Sequence, residues 1–128
     1  MAAPTPSPTK RLSRVLVVDD TACFRRAARQ LLERRGYVVV GEAATAAAAI
    51  RADARLAPDA GLLDVRLGDA DGFELAAALT RRRPPPAVLL VSSDEDLSCY
   101  ARVEESGARG FVPKSQLAAA ELTSFWPS

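Results

Sequence analysis

Residues 15–20 read VLVVDD: four aliphatic residues, Val15, Leu16, Val17 and Val18, run straight into two carboxylates, Asp19 and Asp20. Such a run is too short for a typical helix and suits a strand buried on both faces. The same pattern recurs downstream. Apolar runs at 37–40, 60–63, 87–91 and 110–112 are equally short. Between them lie longer stretches at 21–35, 45–56, 71–82, 94–106 and 115–125, each long enough for about three helical turns. Five strands alternate with five helices.

Local signals agree with that division. Phe24, Ala27, Ala28, Leu31 and Leu32 form one apolar stripe at helical spacing. Gly36 and Gly107 stand where helices end and positive φ is needed. Asp71 with Glu74 matches a capping box, and Ser115 is placed to cap the last helix. Strict alternation of this kind implies a parallel sheet with right-handed crossovers and helices on both faces. The expected fold is an α/β, flavodoxin-like, doubly wound three-layer sandwich with strand order 2-1-3-4-5. Its chain reversal opens a crevice between the carboxyl ends of strands 1 and 3.

Length and composition set the outer limits. The 128 residues carry 17 Lys plus Arg against 16 Asp plus Glu, a net charge of +1, with 48% hydrophobic residues. That suits one globular domain and argues against disorder or a disulfide mini-protein. It also removes the electrostatic argument for wholesale nucleic-acid or membrane binding. The sequence contains no histidine, which excludes His-based acid/base catalysis, His metal sites and a phosphohistidine within these residues. Cys23 and Cys99 are widely separated and read as packing residues of a reduced, cytoplasmic protein. Residues 1–13, with Pro4, Pro6 and Pro8, read as a flexible tail before a domain at 14–128. No apolar run approaches the roughly 18 residues of a membrane span.

The informative positions lie just past the strand ends. Strand 1 delivers Asp19 and Asp20, strand 3 Asp64, strand 4 Ser92 and Ser93, and strand 5 Lys114, whereas strand 2 ends in Gly41. Two carboxylates about 4 Å apart at an effective dielectric near 20 repel by about 4 kcal/mol. Three of them need more positive charge than Lys114 alone supplies. An oxygen-only ligand set suits a hard divalent ion, Mg²⁺ being the natural choice with Mn²⁺ able to substitute, and Mg²⁺ in turn suits phosphoryl chemistry. Asp64 is then the candidate nucleophile, and the metal, Lys114 and the Ser92 hydroxyl would neutralise the phosphoryl oxygens.

The segments VLVVDD at 15–20, GLLDVRLGDADGFEL at 61–75, VLLVSS at 88–93 and GARGFVPKS at 107–115 resemble the receiver domain of bacterial two-component response regulators, CheY-like proteins among them. The resemblance covers about residues 14–125. It implies that Asp64 is the phosphoacceptor and that Asp19 and Asp20 bind Mg²⁺ together with Asp64 and the backbone carbonyl of Arg66. It further implies that Ser92 is the switch hydroxyl, Lys114 the active-site lysine and Phe111 the aromatic switch residue. Phe111 lacks a tyrosine hydroxyl, so its switching would rest on burial of the ring alone. Ser115 replaces a proline often preceded by a cis bond, which argues against that bond here because a non-proline cis peptide costs about 2.5–4 kcal/mol.

The resemblance implies a phosphoryl donor in another protein, a sensor histidine kinase or a phosphotransfer protein, and a downstream protein target. A stand-alone receiver would signal through the surface of helix 4, strand 5 and helix 5, which could also form a homodimer, without direct DNA binding and without a membrane. It would not be a conventional turnover enzyme, since phosphotransfer and dephosphorylation would both be self-catalysed. Two other readings stay open: a phosphorylation-independent interaction or dimerisation module, and a receiver that has lost a DNA-binding output domain. The basic run Arg81 to Arg83 reads as a helix C-terminus favouring its dipole, and Arg25, Arg26 and Arg29 as a solvated face beside the crevice that could dock an acidic partner.

Overall fold

A computed structural model of the protein describes residues 13–68, 70–93 and 100–126. The chain runs β1 (Arg14–Val18), α1 (Ala22–Arg34), β2 (Val38–Ala43), α2 (Ala46–Leu56), β3 (Ala60–Asp64), β4 (Arg66–Leu67), β5 (Ala70–Asp71), α3 (Gly72–Leu79), β6 (Ala87–Ser92), α4 (Tyr100–Glu105) and β7 (Gly110–Pro113). Two 3-10 segments follow, Lys114–Ala119 and Leu122–Ser124. Five strands pair in parallel in the order β2-β1-β3-β6-β7. That is the expected 2-1-3-4-5 order, because β4 and β5 form a separate antiparallel ladder of two residues each. Residues 1–12, expected as tail, and residues 94–99, where the fourth helix is expected to begin and where Cys99 falls, lie outside the described residues.

Strand alternation sends successive side chains to opposite faces and so builds two cores. Val15, Val17, Leu62, Leu89, Val91 and Val112 face α1 and the C-terminal segment, where Leu32, Tyr37, Leu122 and Trp126 meet them. Leu16, Val18, Leu63, Val88 and Leu90 face α2, α3 and α4 with Phe73, Leu75 and Val103. Each fully buried aliphatic side chain contributes about 1.5–3 kcal/mol. Together they fix which way every strand faces, and hence where the strand-end residues project.

α1 and α2 match their expected spans to within a residue at each end, α3 ends at Leu79 and not at 82, and the described part of the fourth helix covers Tyr100–Glu105. In α1, Ala28 and Leu32 are buried while Phe24 and Leu31 are partly buried; Ala27, placed in the same stripe, is exposed. Gly36 and Gly107 adopt φ of 89° and 81° after α1 and α4, as a helix end of this type requires. The Asp71 carboxylate accepts the Phe73 N–H at 2.8 Å and caps α3. Ser13, placed at the end of the tail, is buried, and its carbonyl accepts the Val38 N–H at 3.0 Å.

Four expectations need correction. The last helix, expected over 115–125, is broken into the two 3-10 segments, with Ala120 extended between them at φ −72° and ψ 146°. The buried anchors there are Leu117, Leu122 and Trp126, and a five-residue step from Leu117 to Leu122 does not stay on one helical face. Ser115 therefore caps no α-helix; the residue preceding the first 3-10 segment is Pro113, whose side chain makes no capping hydrogen bond. Strand 2 continues past Gly41 to Ala43. Cys23 is an exposed free thiol, not a packing residue.

The basic run also resolves into particular contacts. Arg82 pairs with buried Asp53 at 3.1 Å and donates to the carbonyls of Pro58 at 2.6 Å and Pro84 at 3.0 Å. Arg83 donates to the Thr80 carbonyl at the end of α3 at 3.1 Å, consistent with a helix C-terminus. Among the described residues Arg83–Pro84 is the one cis peptide bond, so Lys114–Ser115 is trans.

Candidate metal centre and lysine of the crevice

The carboxyl ends of β1 and β3 lie side by side, with Val18 paired to Leu63. Asp19, the next residue of its chain, is fully buried. Its backbone is pinned by its own N–H to the Ala43 carbonyl at 3.0 Å and by Arg25 Nη1 to its carbonyl at 2.6 Å. One carboxylate oxygen accepts the Thr21 N–H at 2.7 Å at the start of α1. Asp20 is exposed at the mouth of the crevice. Carboxylate oxygens of Asp19, Asp20 and Asp64 all fall within 4.8 Å of one another.

Asp64 ends β3 and is buried. Its Oδ1 accepts the Arg66 N–H at 3.0 Å, and its Oδ2 accepts Lys114 Nζ at 3.0 Å. Lys114 follows β7 and reaches back to the crevice, where Nζ also lies 2.6 Å from Asp19 Oδ2. That contact is an ion pair to a fully buried carboxylate oxygen, which has no further hydrogen-bond donor among the described residues. A buried carboxylate oxygen that shares a single ammonium with Asp64 and faces two other carboxylates is what a bound cation would further neutralise. Oxygen donors without nitrogen or sulfur suit a hard divalent ion.

The charges are unbalanced, three carboxylates to one ammonium. Burial pushes the Asp64 carboxyl above its ordinary range, outweighing the Arg66 N–H and Lys114, which pull it down. Burial alone would lower the Lys114 ammonium, but the Asp19 and Asp64 carboxylates outweigh it and raise the group above its ordinary value. Lys114 therefore stays charged, and the crevice keeps a deficit of positive charge.

The remaining expected site residues fall around the same edge. Ser92 ends β6 and is buried; Asp64 pairs with Val91, so Ser92 lies one residue further toward the crevice. Arg66 comes to the site through its backbone N–H, with its side chain exposed. Phe111 lies in β7, half-buried against the α2–α3–α4 core.

Two features escape a reading of the sequence. The Phe24 ring lies under Lys114, with Nζ 4.3 Å from its centroid, a contact between residues that only the fold brings together. Glu42, at the end of β2, pairs with Arg25 at 3.2 Å and Arg29 at 2.8 Å. Two of the three arginines expected on a solvated docking face thus turn onto the sheet edge, while Arg26 is exposed.

The fold and crevice define a class first: a flavodoxin-like α/β protein with an acidic, lysine-containing site at its topological switch point. The response regulator receiver domain family matches residues 15–124, and the chain belongs to that family. It is 38% identical over 110 residues to the protein named "Probable transcriptional regulatory protein NarL" of Mycobacterium tuberculosis, over 85% of this chain and 50% of that one. The structure of a two-component response regulator of the LuxR family from Aurantimonas sp. SI85-9A1 superposes with a TM-score of 0.79 at 33% identity, covering 88% of this chain and 80% of that one. A CheY-like receiver domain protein from Methanospirillum hungatei JF-1 gives a TM-score of 0.76 at 28% identity, covering 84% and 86%. The chain spans about half the length of the first curated relatives it matches. Among the described residues no helix is long and apolar enough to cross a membrane.

Proposed function

We propose that Asp64 accepts a phosphoryl group from a phosphohistidine on a sensor histidine kinase or phosphotransfer protein. The observation that carries this reading is the paired engagement of its carboxylate. One oxygen is held by the Arg66 N–H and the other by Lys114, beside Asp19 and Asp20. In the transfer a carboxylate oxygen of Asp64 attacks phosphorus. The new O–P bond forms as the donor's N–P bond breaks, and the leaving imidazole nitrogen keeps the electron pair.

Asp19, Asp20, Asp64 and the Arg66 carbonyl would hold Mg²⁺, or Mn²⁺ in its place, which supplies positive charge against the phosphoryl oxygens. Lys114 neutralises a further oxygen, and the Ser92 hydroxyl donates to another. Phe111 follows that change toward the core, and the face of α4, β7 and the C-terminal segment carries the signal to a protein target. These 128 residues hold no histidine, so a phosphohistidine donor would lie outside them. The phosphoryl group ends on the chain itself and leaves by hydrolysis, so the protein is a phosphoacceptor and not a turnover enzyme. This reading takes the residues before Ser13 as a tail and the rest, with Ser13 hydrogen-bonded to Val38, as a stand-alone receiver, in the cytoplasm, where the free Cys23 thiol stays reduced.

The test is intact-mass spectrometry after incubation with acetyl phosphate and Mg²⁺. One phosphoryl mass should be gained, and it should vanish with chelator and in Asp64→Ala. No gain, or an equal gain in Asp64→Ala, overturns the reading. The half-length match to proteins named as transcriptional regulators favours a second reading, in which the receiver governs an attached regulatory segment. The mass of the protein isolated from its own cells separates the two.

A further inference from the structure

Lys114 is held from two sides. Asp19 and Asp64 approach Nζ at 2.6 and 3.0 Å from the crevice, and the Phe24 ring lies 4.3 Å away. Phe24 projects from α1, one turn beyond Asp20, and is partly buried against the core that Leu32 and Trp126 share. We infer that Phe24 is a positioning residue for the active-site lysine, its ring holding the ammonium at the crevice while leaving it able to exchange one anionic partner for another. This rests on the phosphoacceptor role proposed for Asp64.

The physical reason lies in how the two kinds of contact differ. A carboxylate fixes an ammonium along a line, and the two carboxylates here already compete for it. A ring face attracts a cation through its quadrupole over a broad area, so Nζ can turn from the Asp64 oxygen to a phosphoryl oxygen on Asp64 without losing its aromatic partner. The Lys114 side chain is only 18% exposed, and the ring is one of the groups packed beside it. An aliphatic side chain would pack beside the lysine but not attract the charge. Leucine at this position is somewhat smaller but keeps an apolar cover, and it would lose the attraction to the charge.

The test compares wild type with Phe24→Leu, Phe24→Tyr and Phe24→Trp, using acetyl phosphate as donor so that no protein partner has to dock on α1. In proton NMR without metal or donor, the Lys114 ε-methylene protons should be shifted upfield by the ring current in wild type, Phe24→Tyr and Phe24→Trp, and not in Phe24→Leu. The phosphorylation rate at saturating Mg²⁺ should fall about three- to tenfold in Phe24→Leu, with little change in the Mg²⁺ concentration for half-saturation. It should recover in Phe24→Tyr or Phe24→Trp. A wild-type rate in Phe24→Leu, or aromatic variants as slow as Phe24→Leu, overturns the inference; so does an unshifted wild-type methylene. If wild type takes no phosphoryl group while the ring-current shift is present, the proposed function fails and the lysine contact stands.

Discussion

Gly72 and Asp64 are in backbone contact: a Cβ on Gly72 would lie 2.1 Å from the Asp64 carbonyl oxygen. It would also lie 2.6 Å from Val65 Cα, and the Gly72 N–H donates to the Val65 carbonyl at 2.8 Å. The first residue of α3 is thus pressed onto the segment that carries the crevice carboxylate. Neither obstacle is a flexible side chain. Gly72→Ala should force α3 away from β3 and destabilise the fold by about 1–3 kcal/mol, the range for overpacked sites. It should also weaken divalent-ion binding because the Asp64 backbone moves. Urea unfolding and Mg²⁺ titration of the variant check this; wild-type values in both would contradict the contact.

Asp64 makes a prediction about pH. Burial raises its carboxyl above the ordinary value, so the folded state favours the protonated form. A carboxylate raised in this way contributes stability at low pH, and that contribution is lost as pH rises from the unfolded-state value through the folded one. Asp64→Asn keeps an acceptor for the Arg66 N–H and never ionises. Without divalent metal it should melt higher than wild type at neutral pH, and the gap should close on acidification into the ordinary carboxylate range. A gap that widens toward acid would reverse the sign of the argument.

The crevice was legible because each of its parts follows a strand whose burial is written in the sequence. Val15 to Val18 must lie inside, so Asp19 emerges at the sheet edge, and the same holds for Asp64 after Leu62 and Leu63. Lys114 was legible for the same reason after Val112. What failed to show lacks such a local cause. The β4–β5 ladder offers two residues per strand, too few for any period to register. The broken C-terminal helix follows from where Leu117, Leu122 and Trp126 find space in the core, which outweighs the helix preference of Ala118 to Ala120. The partnership of Phe24 with Lys114, and that of Glu42 with Arg25, depend on packing between elements distant in sequence.

Divalent metal should stabilise the fold through the buried Asp19 carboxylate, which has only a shared ammonium to offset it. A ligand that binds only the folded state at ten times its Kd adds about 1.4 kcal/mol. The melting temperature should therefore climb with added Mg²⁺ and return with chelator. Asp19→Asn removes charge from the buried position and should abolish most of that response while Asp20→Asn, at the exposed mouth, reduces it less. Equal responses in all three proteins would place the ion elsewhere.

The arginine run after α3 should separate into one structural residue and one surface residue. Arg82 closes three carbonyl and carboxylate contacts, among them the pair with Asp53, which is 6% exposed. Removing a partner from a nearly buried ion pair leaves the remaining charge unsatisfied, which costs more than the pair contributes. Arg82→Ala should destabilise the fold by about 2–3 kcal/mol, and Arg82→Ala combined with Asp53→Ala should recover part of that loss. Arg81 is exposed, and Arg81→Ala should stay within about 0.5 kcal/mol of wild type. Because both residues are remote from Asp64, neither change should alter the rate of phosphorylation by acetyl phosphate in the folded protein. Denaturant unfolding measures the first pair of effects. Salt-sensitive nucleic-acid binding by wild type that weakens in Arg81→Ala would instead make Arg81 a nucleic-acid contact.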